Sequence, residues 1–176
     1  MTRAAVVTFH PVPDAGRDLA IRISWLNWVR LLRELRRRGA GARESGAFLL
    51  GRREGTRAVV RSFVFYDDVD PDALAAGFVH LSGEAMGAVW AACEARDEEV
   101  LADVHTHPYA AFHSEADQAH PMIATAGHAA LVVPDYAART FNLRDMRHYR
   151  YRGAKRWSDG PAPRAGLLHV HLGEGS

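Results

Sequence analysis

Between residues 104 and 117 the chain reads VHTHPYAAFHSEAD, and the side chains best suited to hold an ion are gathered there. His105 and His107 stand two apart at the end of the apolar run EVLADV (99–104). In extended backbone, residues i and i+2 point to the same face, so both imidazoles can converge on one ion. Asp117 follows ten residues after His107, beyond Pro108, near the start of an expected short helix, where its carboxylate can face back toward the strand end. Two imidazoles and one carboxylate have the composition of a catalytic zinc site that keeps its fourth position for water. Imidazole ligands argue against magnesium and calcium and put zinc ahead of iron, cobalt or nickel. The same segment has a plainer reading. HxH recurs by chance, and Ser114 with Asp117 also matches a helix capping box. The spacing alone leaves both readings open.

A second segment, about sixty residues upstream, bears on the choice. RESGAFLLGRR (43–53) places Glu44 immediately before a strand, with Gly46 and Gly51 around it. A carboxylate at a strand start can reach a water on the metal if that strand neighbours the one ending at His105, and would then act as general base. Alone, Glu44 reads as a surface residue beside Arg43.

Together the two segments resemble the JAB/MPN (JAMM) zinc metalloproteases, a deubiquitinase-like family with bacterial members. In that family a Glu opens a strand of the form ExxGxLxG, and a later HxHP…SxxD segment carries the metal and a catalytic serine. Glu44, Leu49 and Gly51 fit the first pattern, with Ala47 in place of its inner Gly; His105, His107, Pro108, Ser114 and Asp117 fit the second. Six residues, Pro108 to His113, separate His107 from Ser114 where the family has seven. The resemblance implies a single JAB/MPN-like α/β domain over residues 1–176, a mixed β-sheet flanked by helices in cytidine-deaminase-like layering. It implies Zn2+ on His105, His107 and Asp117, Glu44 as proton carrier, and Ser114 as hydrogen-bond donor to the oxyanion. The implied reaction is hydrolysis of the amide bond after the C-terminal glycine of a ubiquitin-like or sulfur-carrier-like protein, with E1-like or E2-like enzymes as partners. No long insertion separates the motifs, so tail maturation or deconjugation is expected rather than selection among chain linkages. A catalytically inactive MPN scaffold is the alternative, against which the intact Glu44, His105, His107 and Asp117 argue.

The other histidines carry less. His113 and His120 flank the site in sequence and are candidates for assisting groups; His10, His80, His128, His148, His169 and His171 read as ordinary structural residues.

These side chains need a scaffold, and the chain supplies an alternating α/β pattern. AAVVTF (4–9) and LAIRIS (19–24) read as strands around a turn. Trp25, Trp28, Val29, Leu32 and Leu35 recur at steps of three and four and end at Gly39, which marks an amphipathic helix. Its Arg-rich end suits the last turn of a helix and reads as a solvated face. AFLLGRR and TRAVVRSFVFY form two strands with a tight connection, and DDVDPDALAAG reads as a surface loop. Ser82 caps a second helix with Met86, Val89, Trp90 and Cys93 on one face. HAALVVP, MRHYRYRG and LLHVHL are further strands, and GPAPRAG (160–166) a loop.

Composition narrows the function. Twenty-two basic residues, 21 of them arginine, against 21 acidic ones leave a net charge of +1, so no global field favours nucleic acid or a membrane surface as partner. The single cysteine, Cys93, cannot form an internal disulfide, and no apolar run approaches the length of a signal-peptide core or a membrane span. A cytoplasmic protein is expected.

Overall fold

The computed structural model of the chain describes residues 20–74, 81–138, 143–160 and 168–172. The strand expected over 4–9, His10, His80 and nearly all of the loop expected over 160–166 lie outside these residues.

One mixed sheet organises the described chain. Its strands are β1 (Ala20–Ser24), β2 (Gly46–Glu54), β3 (Arg57–Phe65), β4 (Glu99–Thr106), β5 (Ala129–Val133), β6 (Arg147–Tyr151), β7 (Trp157–Gly160) and β8 (Leu168–His171). They lie in the order β7-β6-β5-β4-β2-β3-β1-β8, with β4 and β5 parallel and β2 antiparallel to both β3 and β4. Helices α1 (Trp25–Arg38) and α3 (Gly83–Arg96) and the single turn α2 (Tyr66–Val69) pack on the sheet, and the short α4 (Glu115–Ala119) follows β4. A mixed sheet flanked by helices is the expected class of fold.

Both sheet faces are covered, which is why β5 and the first six residues of β2 are buried and apolar throughout rather than alternating. On one face α1 buries Trp28, Leu31, Leu32 and Leu35 against Ile21, Leu49, Val104 and Leu131. Each such side chain contributes about 1.5–3 kcal/mol of transfer free energy. Ser24 starts this helix, its hydroxyl accepting the Asn27 N–H at 3.2 Å. On the other face Val89 and Cys93 of α3 meet Phe48, Leu50, Val64 and Tyr66. The buried stripe of α3 is Ala85, Val89 and Cys93, at steps of four, whereas Trp90 is 47% exposed. The sequence pattern puts Trp90 on the face of Val89 and Cys93, but it lies one position round from the buried stripe, and α3 offers the sheet only a narrow strip of small residues.

Three further differences from the sequence reading have local causes. The acidic segment after β3 starts with a helical turn, α2, because Arg38 turns inward and binds Asp67 at 2.6 Å and Asp68 at 2.7 Å. Its guanidinium also lies 4.1 Å from the centre of the Phe65 ring, so the last residue of the basic helix end is pinned rather than solvated. Strand β7, with the polar sequence WSDG, carries no alternation and exists through its pairing with β6.

Two glycines answer to packing. Gly46 faces the ring of Tyr66 so closely that a Cβ there would overlap it, and Gly51 sits at a bulge where a Cβ would strike the Val59 carbonyl. Tyr66 is fully buried and meets Phe48 edge-on, with ring centroids 5.1 Å apart, so it has nowhere to retreat. Gly46→Ala is therefore expected to lower stability by about 1–3 kcal/mol, read as a lower urea midpoint at unchanged slope.

Candidate metal centre

Alternation along β4 brings Asp103, His105 and, just past its end, His107 to the sheet face covered by α2 and α3. All three are buried. Antiparallel pairing of β2 with β4 sets Gly46 opposite His105, so Glu44 emerges beside the imidazoles. Ser45 fixes that approach. Its N–H donates to Thr106 Oγ1 at 3.0 Å, its carbonyl accepts from the Thr106 N–H at 2.9 Å, and its hydroxyl donates to the Leu35 carbonyl at 2.7 Å. The loop after β4 is tied to the end of β5. His107 N–H donates to the Val133 carbonyl and Tyr136 N–H donates to the His107 carbonyl, both at 2.9 Å. Asp135, Tyr136 and Ala137 make this second bond from left-handed backbone, with φ of 53°, 48° and 62°. Such a conformation costs a non-glycine residue about 1–2 kcal/mol.

Asp117 enters from α4. Its Oδ2 accepts the Ser114 N–H at 2.8 Å and the Ser114 hydroxyl at 2.7 Å, while its own N–H donates to Ser114 Oγ at 3.1 Å. The segment is thus a capping box, and the same oxygen faces both imidazoles. Asp117 Oδ2 lies 3.6 Å from His105 Nε2 and 3.3 Å from His107 Nε2, and the two Nε2 atoms are 3.2 Å apart. A tetrahedral ion with bonds of 2.0–2.1 Å requires ligand separations of about 3.3 Å. Among the described residues these three side chains form the one cluster of this kind, and both its donor types and its dimensions fit a tetrahedral cation. Glu44 stands outside the triangle, with Oε1 3.9 Å from His107 Nε2.

The electrostatics agree with a cation site. Burial would raise the Asp117 carboxyl, but His105, His107 and the Ser114 hydroxyl drive it far below the usual carboxylate range, so it stays ionised. Burial also works against charging His105, yet Asp103 and Asp117 hold its pKa up to about 10, so without a metal a proton fills the place that a bound cation would take. Glu44 moves the other way. Burial pushes its carboxyl above the usual value, against the pull of His107 and His105. A carboxyl shifted upward is better matched to accepting and returning a proton near neutrality.

The fold brings Glu44, His105, His107, Ser114 and Asp117 together. Of the two candidate assistants, His120 is exposed at the end of α4, and His113 is buried without reaching the ligand cluster. His113 stacks on Tyr149 with ring centroids 4.4 Å apart and meets Trp157 edge-on at 4.3 Å. Asp103 and Tyr66 carry no motif signal in the sequence, and His128 reads there as structural. Yet Asp103 Oδ1 and His128 Nε2 are 2.6 Å apart, and the Tyr66 hydroxyl donates to Asp103 Oδ2 at 3.4 Å. The signal that could have found Asp103 is its place two residues before His105, a lone carboxylate inside an apolar strand and on the histidines' face.

Comparison with known proteins follows the same lines. Residues 27–149 match the family described as prokaryotic homologs of the JAB domain. A protein of Sinorhizobium fredii named a probable metalloprotease is 35% identical over 63 residues, a stretch covering 36% of this chain and 39% of that relative's length. A solution structure of a protein from Desulfitobacterium hafniense superposes with a TM-score of 0.60 at 15% identity, covering 86% of this chain and 92% of that one. Another, from Salinibacter ruber, gives a TM-score of 0.54 at 16% identity over 85% of this chain and 97% of that one. At these identities the structural likeness speaks to fold alone.

His113 generates a pH prediction. Burial holds its pKa down to about 4, so the folded protein keeps it neutral at a pH where the unfolded chain, titrating near 6.5, binds the proton. Stability from this group is full above about pH 6.5 and is lost as pH falls toward 4, by up to about 1.4 kcal/mol per pH unit. Urea midpoints of chelator-treated protein should therefore drop less between pH 6.5 and 4.5 in His113→Gln than in wild type.

Proposed function

This chain belongs to the prokaryotic homologues of the JAB domain, and from that premise we propose that it is a zinc-dependent peptidase or isopeptidase acting on the C-terminal tail of a ubiquitin-like protein. The observation that carries the reading is the convergence of Glu44, from the start of β2, on the His105, His107 and Asp117 triangle, with Oε1 3.9 Å from His107 Nε2. Three protein ligands with a half-buried carboxylate standing just outside them make a hydrolytic arrangement rather than a closed structural site.

His105, His107 and Asp117 would hold the ion. When bound, zinc supplies Lewis acidity, lowering the pKa of a coordinated water toward about 7 and polarising a carbonyl. Glu44 accepts the proton from the attacking water and returns it to the departing amine, so one carboxyl serves both halves of amide hydrolysis. Burial of the Glu44 carboxyl supports that exchange by favouring its protonated form. Ser114 has two roles in this reading. Its backbone N–H and hydroxyl orient Asp117, and the hydroxyl can turn from the carboxylate to donate to the oxyanion, a contribution of about 2.7–4 kcal/mol for one such donor.

The substrate reading rests on the family and on the name of the Sinorhizobium relative, which support proteolysis. The partner we propose is a ubiquitin-like or sulfur-carrier-like protein ending in glycine, working with E1-like or E2-like enzymes in the cytoplasm. No helix among the described residues is long and apolar enough to cross a membrane.

Metal content comes first among the tests. Purified protein should carry about one zinc per chain, and His105→Ala or His107→Ala should lose it, by elemental analysis. Glu44→Gln should keep zinc and fold but slow cleavage of a ubiquitin-like protein fused through its C-terminal glycine to a reporter amine, by about 10²–10⁴-fold in single turnover. Equal rates for wild type and Glu44→Gln would place the base elsewhere.

A further inference from the structure

Asp103 is the most deeply buried carboxylate in the described structure, 2% exposed in the middle of an apolar strand. An apolar residue would be the cheaper occupant, because a buried carboxylate must recover its lost hydration through hydrogen bonds. Here each oxygen has its own company. Oδ1 lies 2.6 Å from His128 Nε2, and Oδ2 accepts the Tyr66 hydroxyl at 3.4 Å and lies 4.0 Å from His105 Nδ1, an electrostatic contact longer than a hydrogen bond. His105 is thereby placed between two carboxylates, with Nε2 toward Asp117 and Nδ1 toward Asp103.

The partners of Asp103 are themselves immobilised. His128 stands at the start of β5, its N–H bonded to the Thr125 carbonyl at 3.0 Å and its carbonyl to the Tyr151 N–H at 2.9 Å. Tyr66 is wedged between Gly46 and Phe48. Elements from three separate parts of the chain therefore converge behind one ligand. His107 has no such backing: its Nδ1 is buried with no hydrogen-bond partner among the described residues, and its ring is steadied by the edge contact with Phe112 at 4.8 Å.

We propose that Asp103, braced by His128 and Tyr66, is the positioning residue of the metal centre, fixing the ring orientation of His105 and directing its Nε2 lone pair at the ion. The proposal rests on the metal-site reading above. Histidines that bind metals generally donate their other ring N–H to a carboxylate or carbonyl, and loss of that partner costs about 10–100-fold in metal affinity. A carboxylate that merely tied β4 to β5 through His128 would matter to stability and leave the ion indifferent.

The experiment uses zinc itself, titrated against a chromophoric chelator, together with the visible absorption of the cobalt-substituted protein as a report on ligand geometry. In Asp103→Asn, zinc should bind about 10–100-fold more weakly and the cobalt bands should shift, with near-ultraviolet circular dichroism showing a native core. His128→Gln and Tyr66→Phe leave the carboxylate in place and loosen its brace; both should weaken zinc in the same direction by less. Wild-type affinity and an unchanged cobalt spectrum in folded Asp103→Asn would overturn the proposal. Should Asp103→Asn fail to fold, His128→Gln decides, and unchanged zinc affinity in it would equally overturn the brace. If wild type itself binds neither zinc nor cobalt, the metal-site reading fails and this proposal falls with it, a result distinct from a wild type that binds both and a variant that binds them as well.

Discussion

The alignment of β2 against β4 is the constraint on which the site depends. Gly46 opposite His105 is held by the paired bonds between Ser45 and Thr106, and Ser45 is tied in turn to the carbonyl of Leu35 at the end of α1. A shift of one residue would turn every side chain of one strand to the opposite face. It would also carry Phe48 and Leu50 out of the core beneath α3. Hydrophobic burial on both faces therefore resists the slip, and the site inherits a position that packing has already specified. Glu44 needs no device of its own beyond its neighbour Ser45.

Around that alignment the molecule concentrates its costly features. Asp103 is buried within the sheet, and three consecutive residues after β5 adopt left-handed backbone. Each is destabilising alone, and each touches the segment that carries the histidines. The left-handed turn presents the Tyr136 N–H to the carbonyl of His107. Strain and buried charge persist where the surrounding structure over-determines them. Here the surroundings are the two apolar layers under α1 and α3.

The Ser114–Asp117 pair shows how one local structure serves two purposes. As a capping box it satisfies N–H groups at the start of a helix too short to be stable by itself. In doing so it also holds Asp117 Oδ2 toward the imidazoles. The six-residue run from Pro108 to His113 is accommodated because both of its ends are tied, His107 to β5 and Ser114 to Asp117, while His113 is held in the aromatic stack of Tyr149 and Trp157.

What the sequence by itself determined is whatever short-range periodicity and residue type encode. The i, i+2 placement of His105 and His107, the capping pattern from Ser114 to Asp117, the apolar steps of α1 and the runs that became β2 to β6 are all local, and each is legible within a dozen residues. Glu44 became legible through its pairing with a second motif. The tertiary structure alone decided that β2 lies beside β4, bringing Glu44 within 3.9 Å of His107. It alone decided that Trp90 faces outward and that WSDG forms a strand, since both depend on which neighbour a segment meets. Asp103, His128 and Tyr66 belong here too. In sequence they are a lone acid in an apolar strand, a histidine opening another apolar run and a tyrosine closing a third. Their common purpose exists only where three elements fold against one another, because a hydrogen bond between residues distant along the chain leaves no periodic trace in it.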